Sequence, residues 1–301
     1  MKYALEYTAI HYKRPGINGA KISNHEMAEI KIAIPSAKEQ RLIADYLDKQ
    51  MAKIHDILSD LRKQVQILQK YRQALIMQIV SGGLYSNLPM QKSGIGWVRY
   101  MPAHWETRKI KTIAGLTRGT FKYRPRNAQE LYGGNCPFIQ TGDVANANKY
   151  ITQYSQTLSE FGVTVSKKYP KGTIVLTLAA NVGNAAILSF DSCFPDSIMA
   201  IEPYPGIDSV YLYYILSAMK EEFKKNVMVN TQSNLNIEKV SNLNIPLTFQ
   251  EEEQKEMVSF LDQACEEIDD IIADKQNLID KINKYKKSVL YEYVTGKKRC
   301  I

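Results

Sequence analysis

Residues 39–82 read EQRLIADYLDKQMAKIHDILSDLRKQVQILQKYRQALIMQIVSG, and residues 253–296 read EQKEMVSFLDQACEEIDDIIADKQNLIDKINKYKKSVLYEYVTG. The two stretches match at a constant offset of 214, which makes them copies of one unit rather than two chance helices. Glu39-Gln40 recurs as Glu253-Gln254, Leu47-Asp48 as Leu261-Asp262, Asp56-Ile57 as Asp270-Ile271, Asp60 as Asp274, and Lys70-Tyr71 as Lys284-Tyr285. Each copy follows a short apolar strand ending in proline, Ile32-Ala-Ile-Pro35 and Leu243-Asn-Ile-Pro246, and the second connection is three residues longer. Ser36-x-x-Glu39 and Thr248-x-x-Glu251 are capping-box patterns that start a helix, while Gly82-Gly83 and Gly296 supply the left-handed residue that ends one.

Within the first copy Leu47, Met51, Ile54, Leu58, Leu61, Val65 and Leu68 alternate spacings of four and three, the a/d seam of a coiled coil. The second copy keeps this register at Leu261, Cys265, Ile268, Ile272, Ile279 and Ile282, with Lys275 interrupting it. About 44 residues at about 1.5 Å each make a rod of roughly 65 Å, too long for the core of a small domain, so each helix needs a partner. The spacing leaves open whether the copies pair parallel or antiparallel, and within one chain or between two.

Between the copies, residues 91–245 read as mixed α/β, with β-rich runs broken by Gly, Pro and Asn. Thr173 to Leu178, Ala185 to Phe190 and Ile198 to Pro203 are expected strands, and Asp208 to Val227 is expected to be one helix. The fold class is therefore α+β, one mixed α/β domain flanked by two long helices that pair as a coiled coil. Its 301 residues, 45% hydrophobic and 23% charged, suit a globular protein with about two domains. No apolar run of about 18 residues and no leader pattern is visible, so a cytoplasmic, non-membrane protein is expected. Cys136, Cys193, Cys265 and Cys300 form no C-x-x-C pair, and neither disulfide nor metal is expected.

A net charge of +8 favours an acidic partner, and the surplus sits in the middle domain. Residues 106–126 hold seven Lys or Arg against one acid, whereas the chain from Leu247 onward holds nine bases and twelve acids. Thr117, Arg118, Thr120, Lys122, Tyr123, Arg124 and Arg126 interleave cations, hydroxyls and an aromatic ring. Cations neutralise phosphates, arginine also recognises guanine, and hydroxyls add short contacts, so this loop is a candidate face for double-stranded DNA. A solvated basic loop has the same composition. Asn226, Asn230, Gln232, Asn234 and Asn236 are suited to adenine edges and equally to turns. Methyltransferase and phosphate-loop motifs are absent. Pro195-Asp196 with Glu253-Gln-Lys255 imitates a metal nuclease pattern, but Glu253 belongs to the repeated helix start. His11, His25, His55 and His104 have no ligand spacing, and His104-Trp105 reads as a packed domain entrance.

Ser93-Gly-Ile-Gly-Trp-Val-Arg-Tyr-Met-Pro-Ala-His-Trp-Glu106 resembles the opening of a target-recognition domain of type I restriction-modification specificity subunits. Phe138-Ile-Gln-Thr141-Gly-Asp-Val144, Gly172-Thr-Ile-Val-Leu-Thr177 with Asn181-Val-Gly183, and Thr231-Gln-Ser-Asn-Leu-Asn236 resemble the family in the same order, adding Thr141, Asn181, Gln232 and Asn234 as candidate DNA contacts. The resemblance implies a non-catalytic subunit. Recognition domains would read half-sites, and the repeated helices would act as spacer and docking platform for methyltransferase subunits and, through them, the restriction translocase. S-adenosylmethionine, ATP and Mg²⁺ would belong to those partners, with no cofactor on this chain. The implied organisation is a remnant of a first recognition domain at 1–34, a first long helix at 35–90, a whole recognition domain at 91–245 and a second long helix at 246–301. One half-site is then the expected readout, with self-association through the helices as a route to two. A coiled-coil assembly protein, or an inactive truncated remnant, without specific DNA binding is the competing expectation.

Overall fold

The computed structural model describes residues 34–228 and 235–300 together with Tyr3, Ser23, His25 and Glu29, with backbone only at 226–228. Ile32 and Ala33 of the first expected strand, Asn230, Gln232 and Asn234, and the side chain of Asn226 lie outside the described residues.

Among the described residues the first full element is the long helix α1 (Ala37–Gly82), then β1 (Met90–Ile95), β2 (Val98–Pro102), β3 (Glu106–Lys109), β4 (Ala114–Arg118), β5 (Tyr132–Pro137) and α2 (Thr141–Asn146). Short pieces follow: β6 (Tyr150–Ile151), β7 (Thr157–Leu158), α3 (Glu160–Thr164) and β8 (Lys168–Tyr169). Next are β9 (Ile174–Thr177), β10 (Ala185–Leu188), β11 (Ser192–Cys193) and β12 (Ile198–Pro203). Last come α4 (Ser209–Ala218), α5 (Lys220–Met228), α6 (Ile237–Asn242), β13 (Asn244–Leu247) and the second long helix α7 (Glu251–Val294). None of the described helices is long and apolar enough to cross a membrane.

Two compact units result, one of residues 1–71 with 267–301 and the other of residues 72–266. In the first, the heptads pair within one chain. Ile54, Leu58, Leu61 and Ile279 form one apolar cluster that Met51, Val65 and Ile282 flank. Leu47, near the start of α1, shares a cluster with Val289 and Leu290, near the end of α7, so the pairing is antiparallel. Leu68 and Ile272 are half-buried and Ile268 is buried. Each aliphatic side chain buried this way stabilises by about 1.5–3 kcal/mol relative to exposure. The polar interruption is accommodated, because Lys275 Nζ donates to Gln64 Oε1 at 2.7 Å. The first helix opens as its sequence predicts, with Ser36 N–H and Oγ both donating to Glu39 Oε2 at 3.1 and 2.7 Å.

The second unit is built on a five-stranded sheet in the order β4-β12-β9-β10-β6, antiparallel except for the β10/β6 pair. Every residue of β9 is buried, because side chains alternate between two packed faces. Ile174, Leu176, Ile187, Met199 and Ile201 join the main core with the buried residues of α4. Their neighbours Val175, Ala186, Leu188, Ile198 and Ala200 join a second cluster with Tyr169 and Phe194.

Two expectations need correction and one widens. Leu261 and Cys265 share the main core with Ile76, Ile79 and Val80 of α1 as well as with the sheet domain, so this part of the heptad stripe serves both the helix pairing and the domain. Residues 208–227 form two helices rather than one. Asp208 caps the first by accepting from Val210 N and Tyr211 N, and Met219 N–H, shared between Ile215 O and Leu216 O at 3.2 and 3.1 Å, marks its end. The first piece is buried at seven of ten positions while the second is largely polar, so no single period describes both. Finally, Thr248 does not cap the last helix. The longer connection places Gln250 before Glu251, and Thr248 Oγ1 accepts from Gln250 N at 3.2 Å instead.

Candidate nucleic-acid interface

Thr117 and Arg118 end β4 and are held in register by β12, where Thr117 faces Ala200 and Arg118 faces Met199. The chain then passes so close to residues 194–195 that a Cβ at Gly119 would stand 2.3 Å from Pro195 O and 2.6 Å from Phe194 O. Only glycine fits there. This approach brings the basic loop beside Asp196. Phe121 is buried, its ring centroid 4.9 Å from that of Phe138, and anchors the loop rather than facing a ligand.

The loop cations are less free than their composition suggests. Arg126 Nη2 donates to Oδ1 and Oδ2 of Asp196, both at 2.9 Å, and Arg118 Nε donates to the Asp196 carbonyl. Arg124 Nη1 donates to Phe121 O and Tyr123 O at 3.1 and 2.9 Å. Arg126 holds the Asp196 carboxyl below the usual carboxylate range, by hydrogen bond and by charge, with Arg118 and Arg124 adding to the effect. Tyr123 donates to Glu130 Oε1 at 3.0 Å, and this bond raises its hydroxyl. Arg118, Lys122 and Arg124 are exposed; Thr117, Thr120, Tyr123 and Arg126 are half-buried.

Two more loops meet the segment that carries Asp196. Ile139 N donates to Cys193 O at 2.8 Å, which sets the 139–141 turn and half-buried Thr141 alongside it. Gln140 Nε2 donates to Gln156 Oε1 at 3.0 Å, adding an amide pair to that turn. Leu178 N donates to Ser197 O at 2.8 Å, fixing the base of the loop with Asn181. That loop is strained. Ala180 and Asn181 have φ of 40° and 43°, a region costly for residues other than glycine, and Thr177 Oγ1 holds the turn by donating to Asn181 O at 2.6 Å. Asn181 is exposed. Leu235 N donates to Leu178 O at 3.0 Å, so the chain re-enters here, while Asn236 accepts from Lys239 N and caps α6.

Residues 193–197 are thus a hub for three candidate loops. Sequence reasoning missed this role for Asp196, reading it only as an imagined metal ligand. The available signal was an isolated acid after proline in a domain rich in cations. The other members of that imagined set are engaged elsewhere: Glu253 accepts from Trp105 Nε1 at 3.0 Å and lies 3.1 Å from His104 Nε2, and Lys255 pairs with Glu251 at 3.8 Å. Trp105 is 1% exposed and packed as expected, whereas His104 beside it is exposed.

A family model described as "Type I restriction modification DNA specificity domain" matches residues 102–281. The chain is 24% identical over 287 residues to the type I restriction enzyme MjaVIII specificity subunit of Methanocaldococcus jannaschii, covering 90% of this chain and 62% of that one. It is 21% identical over 299 residues to the EcoBI specificity subunit of Escherichia coli, covering 96% and 63%. A solved chain from work on complex assembly and conformational transition of the type I R-M system shares the fold, with a TM-score of 0.70 at 15% identity over 99% of this chain and 69% of that one. The chain spans a little under two thirds of the length of these two curated relatives. With the repeat, the sheet domain and a match over more than half its residues in agreement, this chain belongs to the type I restriction-modification DNA specificity family.

Proposed function

We propose that this chain reads sequence in double-stranded DNA through the loops gathered on residues 193–197 and performs no reaction itself. The observation that carries the reading is the convergence of a cation-rich loop with two polar loops on one segment of a domain in a DNA specificity family. Cations fix the duplex by its phosphates while short polar side chains are suited to base edges. On this reading the antiparallel helices are a spacer and a platform for methyltransferase subunits, and through them the restriction translocase; S-adenosylmethionine, ATP and Mg²⁺ act on those partners. Residues 1–34 correspond to the closing part of a first recognition domain. A supporting contact is Tyr3 OH donating to Asp48 Oδ1, repeating the bond from Tyr214 OH to Asp262 Oδ1 in the whole domain.

The test is simultaneous alanine substitution of Arg118, Lys122, Arg124 and Arg126, with binding to duplex DNA followed against salt. Each lost phosphate contact lowers the slope of log affinity on log salt by about 0.9. Unchanged binding and slope, with circular dichroism confirming the fold, contradicts the reading.

A further inference from the structure

Two arginines of the basic loop bond to Asp196, Arg126 to its carboxylate and Arg118 to its main-chain carbonyl, so the carboxylate holds a guanidinium that an external anion would otherwise take. The Arg126 guanidinium meets it through a single nitrogen, Nη2, rather than through the two-nitrogen fork that makes arginine–carboxylate pairs strong. Arg126 Nε is buried with no hydrogen-bond partner, a costly condition for a charged donor. The pair remains partly open, with side-chain exposures of 39% for Arg126 and 44% for Asp196. The resting pose of Arg126 is therefore incompletely satisfied and reachable from solvent.

We propose that Asp196 is an internal competitor for DNA, its carboxylate holding Arg126 back from phosphates and so lowering the affinity of the chain for duplexes of any sequence. This rests on the DNA-reading function proposed above. Any duplex must displace the carboxylate before a phosphate or guanine edge takes the guanidinium. Phosphates are present on every sequence, so this cost falls on all DNA. The cost is the same for right and wrong sequences, so it lowers background affinity and leaves the ratio between them unchanged. Asp196 thus acts as a positioning residue for Arg126.

The experiment measures binding of the full chain to a duplex of arbitrary sequence and to its selected duplex, across a range of salt, for wild type, Asp196→Asn, Arg126→Ala and the double variant. Asp196→Asn keeps the side-chain volume and removes the charge. Affinity for the arbitrary duplex should rise about tenfold and its salt slope should steepen by about 0.9 for each cation released. Affinity for the selected duplex should rise by the same factor, leaving the specificity ratio unchanged. In the Arg126→Ala background the gain from Asp196→Asn should shrink. An Asp196→Asn protein that binds both duplexes like wild type, or loses affinity for both alike, overturns the proposal while leaving the DNA-reading function standing. A wild-type chain that binds neither duplex overturns that function and this proposal with it.

Discussion

The two copies of the helix start make the same internal contacts and meet different surroundings. Leu47 and Leu261 are both fully buried, the first with Val289 and Leu290, the second with Ile76, which is the repeat equivalent of Leu290. Asp48 and Asp262 both accept from a tyrosine hydroxyl. The flanking residues then diverge. Gln40 is exposed and makes one bond, to Pro35 O at 2.8 Å, whereas Gln254 is 1% exposed, accepts from Asp208 N and donates to Gly206 O and Thr248 O. Glu39 turns back to Ser36, while Glu253 holds Trp105 and His104. Ile34, before the first proline, is 79% exposed, and Ile245, before the second, is fully buried. The repeat therefore carries a shared helix-pairing contact, and flanking residues that in the second copy bond to the sheet domain.

Substitutions at paired positions test this division. Gln254→Ala removes a buried amide and leaves three backbone groups without their partner, that of Thr248 buried, and should cost about 2 kcal/mol in urea unfolding, while Gln40→Ala should cost less than about 0.5 kcal/mol. Equal losses would show that the two seats do not differ as described. Tyr214→Phe should cost about 1 kcal/mol and Tyr3→Phe about 0.5 kcal/mol, because the acceptor Asp48 is exposed. Burial first, and then the neighbouring Asp262, push the Tyr214 hydroxyl well above its ordinary value near 10. The folded state thus favours the neutral phenol, and its contribution is complete below about pH 10 and is lost as pH rises beyond it. Tyr214→Phe should flatten that alkaline fall, which urea midpoints measured on either side of pH 10 will show.

Much of the architecture was legible because the repeat and its heptads are regular. The helix pairing, the strand Ile198–Pro203 and the Trp105 entrance follow from periodicity and turn chemistry. What the heptads could not reveal was that part of the seam is shared, since Leu261 and Cys265 join Ile76 and the core of the sheet domain in one cluster, while Ile54 and Leu58 cluster with helix residues alone. Nor does periodicity separate α4 from α5, where a buried helix meets an amphipathic one at Met219. In the candidate site, composition located the cations but not their engagement. The bond of Arg126 to Asp196 spans 70 residues and depends on Gly119 admitting the backbone of Pro195, a close approach that no local pattern announces.

Selection from a pool of randomised duplexes by the full chain with its methyltransferase subunits tests the central claim most directly. Enrichment of one short motif, lost when Arg118, Lys122, Arg124 and Arg126 become alanine, is the predicted result. A folded, assembled complex that enriches no motif would contradict the assignment of these loops to sequence reading.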